Sequence, residues 1–382
     1  MPFPLSPLDL TAGLCAIDSR NPSLVPGAPG ERDAAMWLAN VLDEWGFAVS
    51  THEVAPQRVN VVARIGPAGV SPLVLNGHLD VVGTDGMTHA PFAPEVRDGN
   101  LYARGSTDMK GGIAAMCVAA ARAAQRGTLH RELVIAAVCD EEFASIGTSA
   151  LLADGVQATG AIITEPTRLA VVPAHKGFAW LTVTVHGRAA HGSRYDVGID
   201  ANRMAARLLA AIDRYETDLL STRTHALLGR ASIHAPLVDG GSGWSTYADR
   251  CTVKLERRTI PGEQAAQVLS EVQALVDALH ADDARFSATV EMGGSQPPLE
   301  TAVTHPLVTS LVAACQAHGL PGDVAGLFCW TDAALFANAG IPAVCFGPGD
   351  IARAHSATEW VEVEQLEQAT DILERVVSSP PF

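Results

Sequence analysis

The sequence has 382 residues, of which 48% are apolar and 18% are charged, and its formal net charge at pH 7 is -16. A chain of this length and composition can bury a large core and has room for two domains. Because no run of lysine and arginine could neutralise phosphates, the acidic balance argues against nucleic acid or an anionic membrane surface as the main partner.

The cysteines and the N-terminal segment indicate the cellular compartment of the protein. The seven cysteines are odd in number, spread along the chain and mostly set in apolar runs. This pattern is typical of buried thiols in a reducing compartment and not of a disulfide framework or a cysteine zinc cage. The segment MPFPLSPLDL lacks the basic and apolar parts of a signal peptide, and no apolar stretch reaches the roughly 18 residues of a membrane span. We therefore expect a soluble, cytoplasmic protein.

The first part of the chain alternates helical and strand patterns. A helical pattern runs from about residue 29 to 47, and an alanine-rich helix opened by two glycines is predicted at 111–125. Apolar runs predict strands at 72–80, 133–142, 161–166 and 341–349. Near-continuous apolar strands are typical of central strands covered on both faces. The pattern predicts an α/β domain in which helices flank the sheet.

Residues 177–292 have a different order of predicted elements: strand, helix, two strands, helix, strand. This βαββαβ order is typical of a ferredoxin-like α+β domain. A helix near residues 305–318 and the strand at 341–349 then resume the first pattern. We therefore predict a catalytic domain in two parts, 1–176 and 293–382, interrupted by an inserted domain of residues 177–292.

Side chains able to bind metal follow several of the predicted strands. His78 ends one strand, and three consecutive acids follow the strand LVIAAV. Adjacent carboxylates repel one another unless a cation or solvent relieves them. Two imidazoles and three carboxylates are the ligands expected of zinc in a two-metal site, and carboxyl ends of strands are where open α/β sheets place active sites. The predicted ligands are His78, Asp108, Glu142, Glu165 and His355.

Asp108 differs from the other predicted ligands because it does not follow a predicted strand. It lies in RGSTDMKGG directly before the alanine-rich helix, where a carboxylate alone would be interpreted as a helix cap. The glycines Gly105, Gly111 and Gly112 permit a tight backbone around it. This setting favours a carboxylate held in a fixed position beside other groups.

These motifs together resemble the zinc metallopeptidases and deacylases that include acetylornithine deacetylase, succinyl-diaminopimelate desuccinylase, aminoacylase and carboxypeptidase G. The resemblance covers essentially the whole chain. It implies a large zinc-exopeptidase-like domain with a central mixed sheet, an inserted lid or dimerisation domain, a homodimer formed through that insert, and two Zn²⁺ per subunit, with Co²⁺ or Mn²⁺ able to substitute. The motifs, in chain order, are NGHLDVV, ARGSTDMKGG, CDEE, ITEP, GRAAHGS, ERRTIPGE, TDAALFANAGIP and AHSATEW.

The same resemblance assigns roles at the metal centre. It implies that Asp108 bridges the two metals, with His78 and Glu165 completing one site and Glu142 and His355 completing the other.

It further implies that Glu141 is the general base, taking a proton from water and returning it to the leaving amine. Asp80 corresponds to the aspartate that supports the histidine ligand. His191, in the insert, corresponds to a histidine that stabilises the oxyanion, commonly from the partner subunit. Arg258 corresponds to an arginine that binds the substrate carboxylate, and Arg257, expected on the opposite face, is the second choice.

The implied reaction is hydrolysis of the amide bond of a small N-acyl amino acid, as in acetylornithine deacetylase. Ser245 stands where relatives often have asparagine, and Ala334 where many carboxypeptidase-like members have arginine. With Phe328 and Trp330 nearby, these departures favour a neutral or apolar substrate portion over a diacid, although core packing accounts for the aromatic residues equally well.

Two other functions compete with this one. A zinc exopeptidase, dipeptidase or carboxypeptidase G-like enzyme would use the same centre on a peptide substrate. A non-catalytic metal-binding homologue would be expected to lack the base or some ligands, and here all of them are present.

Overall fold

The computed structural model describes residues 4–381. Its α-helices are α1 (Pro7–Cys15), α2 (Arg32–Glu44), α3 (Gly111–Arg126), α4 (Ile146–Ala153), α5 (Ala201–Asp218), α6 (Ala265–Asp282), α7 (Pro306–Ala317), α8 (Ala333–Asn338) and α9 (Val363–Val377). None of the helices in this part of the chain combines the length and the apolar character that a membrane crossing requires.

The strands up to residue 186 are β1 (Ala48–Ala55), β2 (Arg58–Ile65), β3 (Leu73–His78), β4 (Glu95–Arg97), β5 (Asn100–Tyr102), β6 (Leu133–Val138), β7 (Gly160–Ile163), β8 (Val171–His175) and β9 (Gly177–His186). Those that follow are β10 (Thr224–His225), β11 (Gly229–Arg230), β12 (Ser232–Gly240), β13 (Arg250–Thr259), β14 (Ser287–Gln296), β15 (Leu299–Glu300), β16 (Val324–Leu327), β17 (Ala343–Cys345) and β18 (Trp360–Glu362).

The chain divides into two compact units. Among the described residues, the first unit comprises the chain up to Pro173, then Glu300–Ala325 and the residues from Thr331 onward, and the second comprises Ala174–Leu299 and Gly326–Trp330. The predicted insert of residues 177–292 lies within the second unit. Its role as a lid or dimerisation domain stays a prediction.

The first unit is built on a mixed sheet in the order β1-β2-β6-β3-β7-β17-β8-β15. The four strands β6, β3, β7 and β17 run parallel, whereas β1, β2 and β8 pair antiparallel with their neighbours. Every residue of β3 and β6 is buried, as expected of central strands with helices on both faces. The predicted α/β class with a central mixed sheet is confirmed. Each of the four predicted strand segments overlaps one of these parallel strands.

The helix α3 fits closely between the sheet and α9. Its small side chains are buried nearly all round, and α9 packs an apolar stripe against them. A Cβ at Gly112 would lie 1.9 Å from the carbonyl oxygen of Thr164, so only glycine lets α3 begin this close to the end of β7. The start of α3 and the residue after Thr164 are thereby held side by side.

The second unit has one antiparallel sheet in the order β12-β13-β9-β14, with α5 and α6 on one face. The chain order βαββαβ and this strand order are those of a ferredoxin-like unit, with the small hairpin of β10 and β11 between α5 and β12. Burial alternates along β9 and β13, because every second side chain points into the helices. The other face of the sheet carries polar and aromatic side chains.

Candidate metal centre

The carboxyl ends of the four parallel strands gather most of the predicted ligands in the first unit. His78 is the last residue of β3, Glu142 follows β6, Glu165 follows β7, and His355 lies beyond β17. Because parallel strands end at the same edge of the sheet, residues far apart in sequence meet there. Asp108 reaches the same edge from the segment Ser106–Lys110 that leads into α3.

One group of potential ligands consists of His78, Asp108 and Glu165, which are all buried. The Nε2 atom of His78 lies 3.1 Å from Oδ1 of Asp108 and 3.9 Å from Oε1 of Glu165. Donor atoms of the three residues lie within 4.8 Å of one another, which is close enough to share one ion.

The second group consists of Asp108, Glu142 and His355. The Nε2 atom of His355 lies 2.9 Å from Oε2 of Glu142 and 3.3 Å from Oδ2 of Asp108. Asp108 therefore turns one carboxylate oxygen toward each histidine, and both groups share this residue.

The electrostatics of the centre show a shortage of positive charge. Burial raises the pKa of Glu141 and of Glu165 well above the usual carboxyl range, and neighbouring carboxylates add to the shift. Burial and the charge of Asp108 raise the pKa of Glu142 to about 7. Hydrogen bonds with Asp108 and Glu142 raise the pKa of His355 to about 10.

The donors present fit divalent metal ions. Among residues 4–381, the ion pairs of Asp108, Glu142 and Glu165 are all with histidine, and no lysine or arginine neutralises these three buried carboxylates. Imidazole nitrogen combined with carboxylate oxygen suits zinc and similar ions better than Mg²⁺ or Ca²⁺. Three protein ligands for each ion would leave positions open for water and substrate, as catalytic sites require.

Asp80 was expected to support the imidazole of His78 with its carboxylate, but the hydrogen bond is made by its backbone carbonyl. The Nδ1 atom of His78 lies 2.9 Å from the backbone carbonyl oxygen of Asp80, and 3.6 Å from its carboxylate. The carboxylate of Asp80 instead accepts hydrogen bonds from the backbone N–H groups of Glu141 and Glu142, at 3.1 and 3.2 Å. Asp80 thus orients the imidazole through its carbonyl and the acidic loop through its side chain.

A buried charge network that the sequence did not reveal lies behind this loop. Arg58 donates to Glu31 at 2.6 and 2.7 Å and to Asp140 at 2.7 Å. Asn21 bridges the carboxylates of Asp80 and Asp140 at 2.8 and 3.0 Å. All five side chains are buried, so the network fixes the position of the loop that carries Glu141 and Glu142. Glu31 has the sequence signature of an ordinary helix start, which offers no clue to this role.

Glu359 is a second residue that sequence reasoning missed, although it lies in the quoted motif AHSATEW. Its fully buried carboxylate accepts hydrogen bonds from the backbone N–H groups of Thr107 and Asp108, at 3.0 and 3.1 Å, and pairs with Arg104 at 2.6 Å. It therefore holds the backbone of Asp108.

Asp332 is another buried acid near the centre. It accepts a hydrogen bond from the Thr148 hydroxyl at 2.6 Å, and burial raises its pKa to about 6. Its charge contributes to the raised pKa of Glu141 and Glu165. The motif TDAA contains this residue, but its spacing gave no sign of the role.

The three remaining predicted site residues belong to the second unit. His191 and Ser245 are both exposed, and their loops are joined by the hydrogen bond from the N–H of Gly192 to the carbonyl of Ser245, at 2.7 Å. Arg258 is partly exposed on the face of the sheet without helices, whereas Arg257 is fully buried and paired with Glu263.

Comparison with known proteins places this geometry in a family. The sequence matches the profile of Peptidase family M20/M25/M40 over residues 74–379. The chain belongs to this family. Acetylornithine deacetylase of Myxococcus xanthus is 31% identical over 327 residues and 84% of each chain. N-formyl-4-amino-5-aminomethyl-2-methylpyrimidine deformylase of Bacillus subtilis is 28% identical over 91% of this chain and 89% of that protein.

Two solved peptidase structures have the same fold. An aminopeptidase from Bacillus cereus superposes with a TM-score of 0.80 over 97% of each chain, at 18% identity. A dinuclear metal-binding peptidase of the M20 family from Bacillus subtilis gives 0.73, at 15% identity, over 97% of this chain and 96% of that one. The predictions of the family and of a metal-dependent enzyme that hydrolyses amide bonds are confirmed.

Replacing Arg58 by methionine should destabilise the first unit strongly, because Glu31 and Asp140 would be left buried without their cation. We expect the free energy of unfolding to fall by about 3–5 kcal/mol. Arg64→Met is the matched control on the same strand: Arg64 forms an exposed pair with Glu132, so its loss should cost about 1 kcal/mol or less. Urea unfolding followed by circular dichroism measures both, and equal losses would contradict a special role for Arg58.

Proposed function

We propose that the protein hydrolyses the amide bond of a small N-acyl amino acid, with two zinc ions held by His78, Asp108, Glu142, Glu165 and His355. One observation carries this proposal: two ligand groups share Asp108, and the carboxylate of Glu141 lies beside them without belonging to either group. A divalent pair supplies a Lewis acid for the scissile carbonyl and lowers the pKa of water when bound.

Glu141 suits the role of general base. Its side chain is 11% exposed, and one oxygen lies 3.9 Å from Nε2 of His78. Burial raises its pKa, and its carboxylate lies beside the two ligand groups, where it can accept a proton from a water bound between them. In the proposed reaction it takes a proton from the attacking water and returns it to the nitrogen of the leaving amine. The hydrogen bond from its own N–H to Asp80 keeps it in place between these two transfers.

The proposed substrate class draws on the relatives and on the second unit. Relatives named acetylornithine deacetylase, succinyl-diaminopimelate desuccinylase and an N-formyl-aminopyrimidine deformylase point to removal of an N-acyl group. Arg258 would bind the substrate carboxylate and Ser245 would contribute a polar contact. A peptide substrate is the second candidate, because structural neighbours include a tripeptidase and human carnosine dipeptidase 1.

The proposal includes a homodimer, with His191 reaching the active site of the partner subunit. The exposure of His191 supports this arrangement. Among the described residues, the hydrogen bonds of its ring are all with Ser193 of its own loop. A cytoplasmic location is proposed as well. Six of the seven cysteines are buried, an environment that suits reduced thiols.

Exhaustive chelation should abolish hydrolysis of N-formyl, N-acetyl and N-succinyl amino acids, and adding Zn²⁺ or Co²⁺ should restore it at a metal content near two ions per chain. Glu141→Gln should lower kcat by about 10²–10⁴-fold, because the proton acceptor is lost while the ligands stay. Mass spectrometry of the products and elemental analysis of each variant provide the measurements.

Glu95→Gln, which removes an exposed carboxylate, serves as the control and should match the parent enzyme. Full activity after chelation would refute the metal mechanism. Hydrolysis of dipeptides with no loss of any acyl group would replace the deacylase by the peptidase.

Arg258→Met should raise KM for carboxylate-bearing substrates by about tenfold or more, with a smaller effect on kcat, because a charge-assisted hydrogen bond is lost. Lys254→Met is the matched control, since Lys254 is an exposed cation on the same face of the same strand. Measuring KM for N-acyl amino acids and for their carboxamide counterparts shows whether Arg258 binds the carboxylate. An equal rise in KM for both substrate types would rule out carboxylate recognition by Arg258.

Mixing two inactive variants tests the role of His191. In a 1:1 mixture of His191→Ala and Glu141→Gln, half of the dimers are hybrids that contain one intact site, so activity should recover to about a quarter of the parent value. Sedimentation velocity establishes the dimer in the same samples. Active monomers, or mixed dimers without activity, would contradict this arrangement.

A further inference from the structure

Three aromatic side chains of the second unit form a cluster beside the face of its sheet that α5 and α6 leave uncovered. Phe178 and Trp180 come from β9, two residues apart and therefore on the same face. Trp330 comes from the separate segment Gly326–Trp330, which also carries Phe328. We call Phe178, Trp180 and Trp330 the aromatic cluster.

The rings of the aromatic cluster contact one another and a buried histidine. The ring centroids of Phe178 and Trp180 are 4.7 Å apart at an interplanar angle of 30°. Trp330 meets Phe178 edge to face at 6.2 Å and His175 at 6.3 Å, and its indole N–H donates to the carbonyl of Pro297 at 3.1 Å. Trp330 and Phe178 are thus held in fixed orientations, as a recognition surface requires.

Exposure separates the aromatic cluster from the core. Trp180 is 48% exposed and Phe328 is 65% exposed, while the alternate residues of β9 pack into the apolar core beneath the helices. Core packing, which the sequence alone left open as the explanation for Phe328, therefore does not account for it. Large rings that stay in water beside ordered ones mark a surface that binds another molecule.

Two cations lie beside aromatic rings of the second unit. Arg258 lies directly opposite Phe178 in the register of β13 and β9, and its guanidinium carbon is 5.7 Å from the centre of that ring. The Nζ atom of Lys176 is 5.1 Å from the centre of the Phe328 ring. Arg258 also pairs with Glu256 on the same strand, so a substrate carboxylate would share the guanidinium with that residue. The surface therefore offers a cation and aromatic faces side by side, which suits a ligand that combines a carboxylate with a planar ring.

We propose that the aromatic cluster binds the side chain of an N-acyl aromatic amino acid whose carboxylate is held by Arg258. This inference rests on the proposed function and narrows its substrate class. In such an amino acid only the α- and β-carbons separate the carboxylate from the ring, so a molecule held by Arg258 presents its ring to the neighbouring Phe178 and Trp180. An aromatic ring gains offset stacking and edge-to-face contacts there, which a saturated ring of similar size does not.

The test compares N-formyl and N-acetyl derivatives of phenylalanine, cyclohexylalanine and alanine with the zinc-loaded enzyme. We expect kcat/KM for the phenylalanine derivative to exceed that for the alanine derivative at least tenfold, with cyclohexylalanine between them. Trp180→Ala should raise KM for the phenylalanine derivative about tenfold and leave the alanine derivative within twofold. Leu219→Ala, which removes an exposed apolar side chain at the end of α5, should change neither value.

Calorimetry on the Glu141→Gln enzyme measures binding without turnover. Its Kd for N-acetyl-phenylalanine should weaken about tenfold when Trp180→Ala is added, whereas that for N-acetyl-alanine should not change. Because Trp180 is half exposed, this substitution leaves the core intact, and circular dichroism verifies the fold.

The outcomes separate this inference from the proposed function. Hydrolysis of N-acyl amino acids with equal kcat/KM for all three side chains, or an aromatic preference that survives Trp180→Ala, would overturn the inference and leave the deacylase standing. Absence of acyl hydrolysis would refute the proposed function. In that case an unchanged Kd in the calorimetric pair would overturn the inference as well.

Discussion

The structure depends on how it neutralises the buried carboxylates at the carboxyl ends of its parallel strands. Burying several such groups together is strongly unfavourable unless cations or hydrogen bonds compensate. The protein neutralises these carboxylates in two ways, at positions a few residues apart. Arg58 neutralises Glu31 and Asp140, whereas the ion pairs of Asp108, Glu142 and Glu165 within residues 4–381 are all with histidine. The second set therefore retains negative charge that a divalent ion can neutralise. The first set is already neutralised by the arginine.

The turn after β6 connects the carboxylate paired with arginine to the ligand groups. Asp140 faces the arginine, while the next two residues face the ligand groups, and the backbone N–H groups of Glu141 and Glu142 are both fixed by Asp80. Asp140 adopts a left-handed backbone conformation, with φ of 68°, which is uncommon for residues other than glycine. The structural ion pairs therefore determine where the proposed base lies, and a defect in Arg58 would be transmitted to the chemistry without any contact with substrate.

The sequence predicted the residues at the strand ends because their signal is local. An apolar run followed by a histidine or an acid is visible in a single sequence, and parallel strands necessarily end together. The supporting residues lack such a signal. Asn21, Glu31 and Arg58 come from separate segments and meet only in the folded chain, and Glu31 alone is indistinguishable from an acid at a helix start. The role of Asp80 was also not predictable in detail, since its carbonyl and its carboxylate have different partners.

The alternation of side chains in the second unit leaves the proposed substrate-recognition surface freer to vary than the metal centre. In β9 and β13, residues that support the core point to the helices, and those on the opposite face, Phe178, Trp180 and Arg258 among them, contribute little to that core. Substitution on the outer face would therefore change the proposed binding surface at small cost in stability, whereas buried carboxylates of the first unit such as Asp108 and Asp140 each have several partners. Relatives at 25–31% identity are named for different acyl substrates, as this division of constraint would lead one to expect.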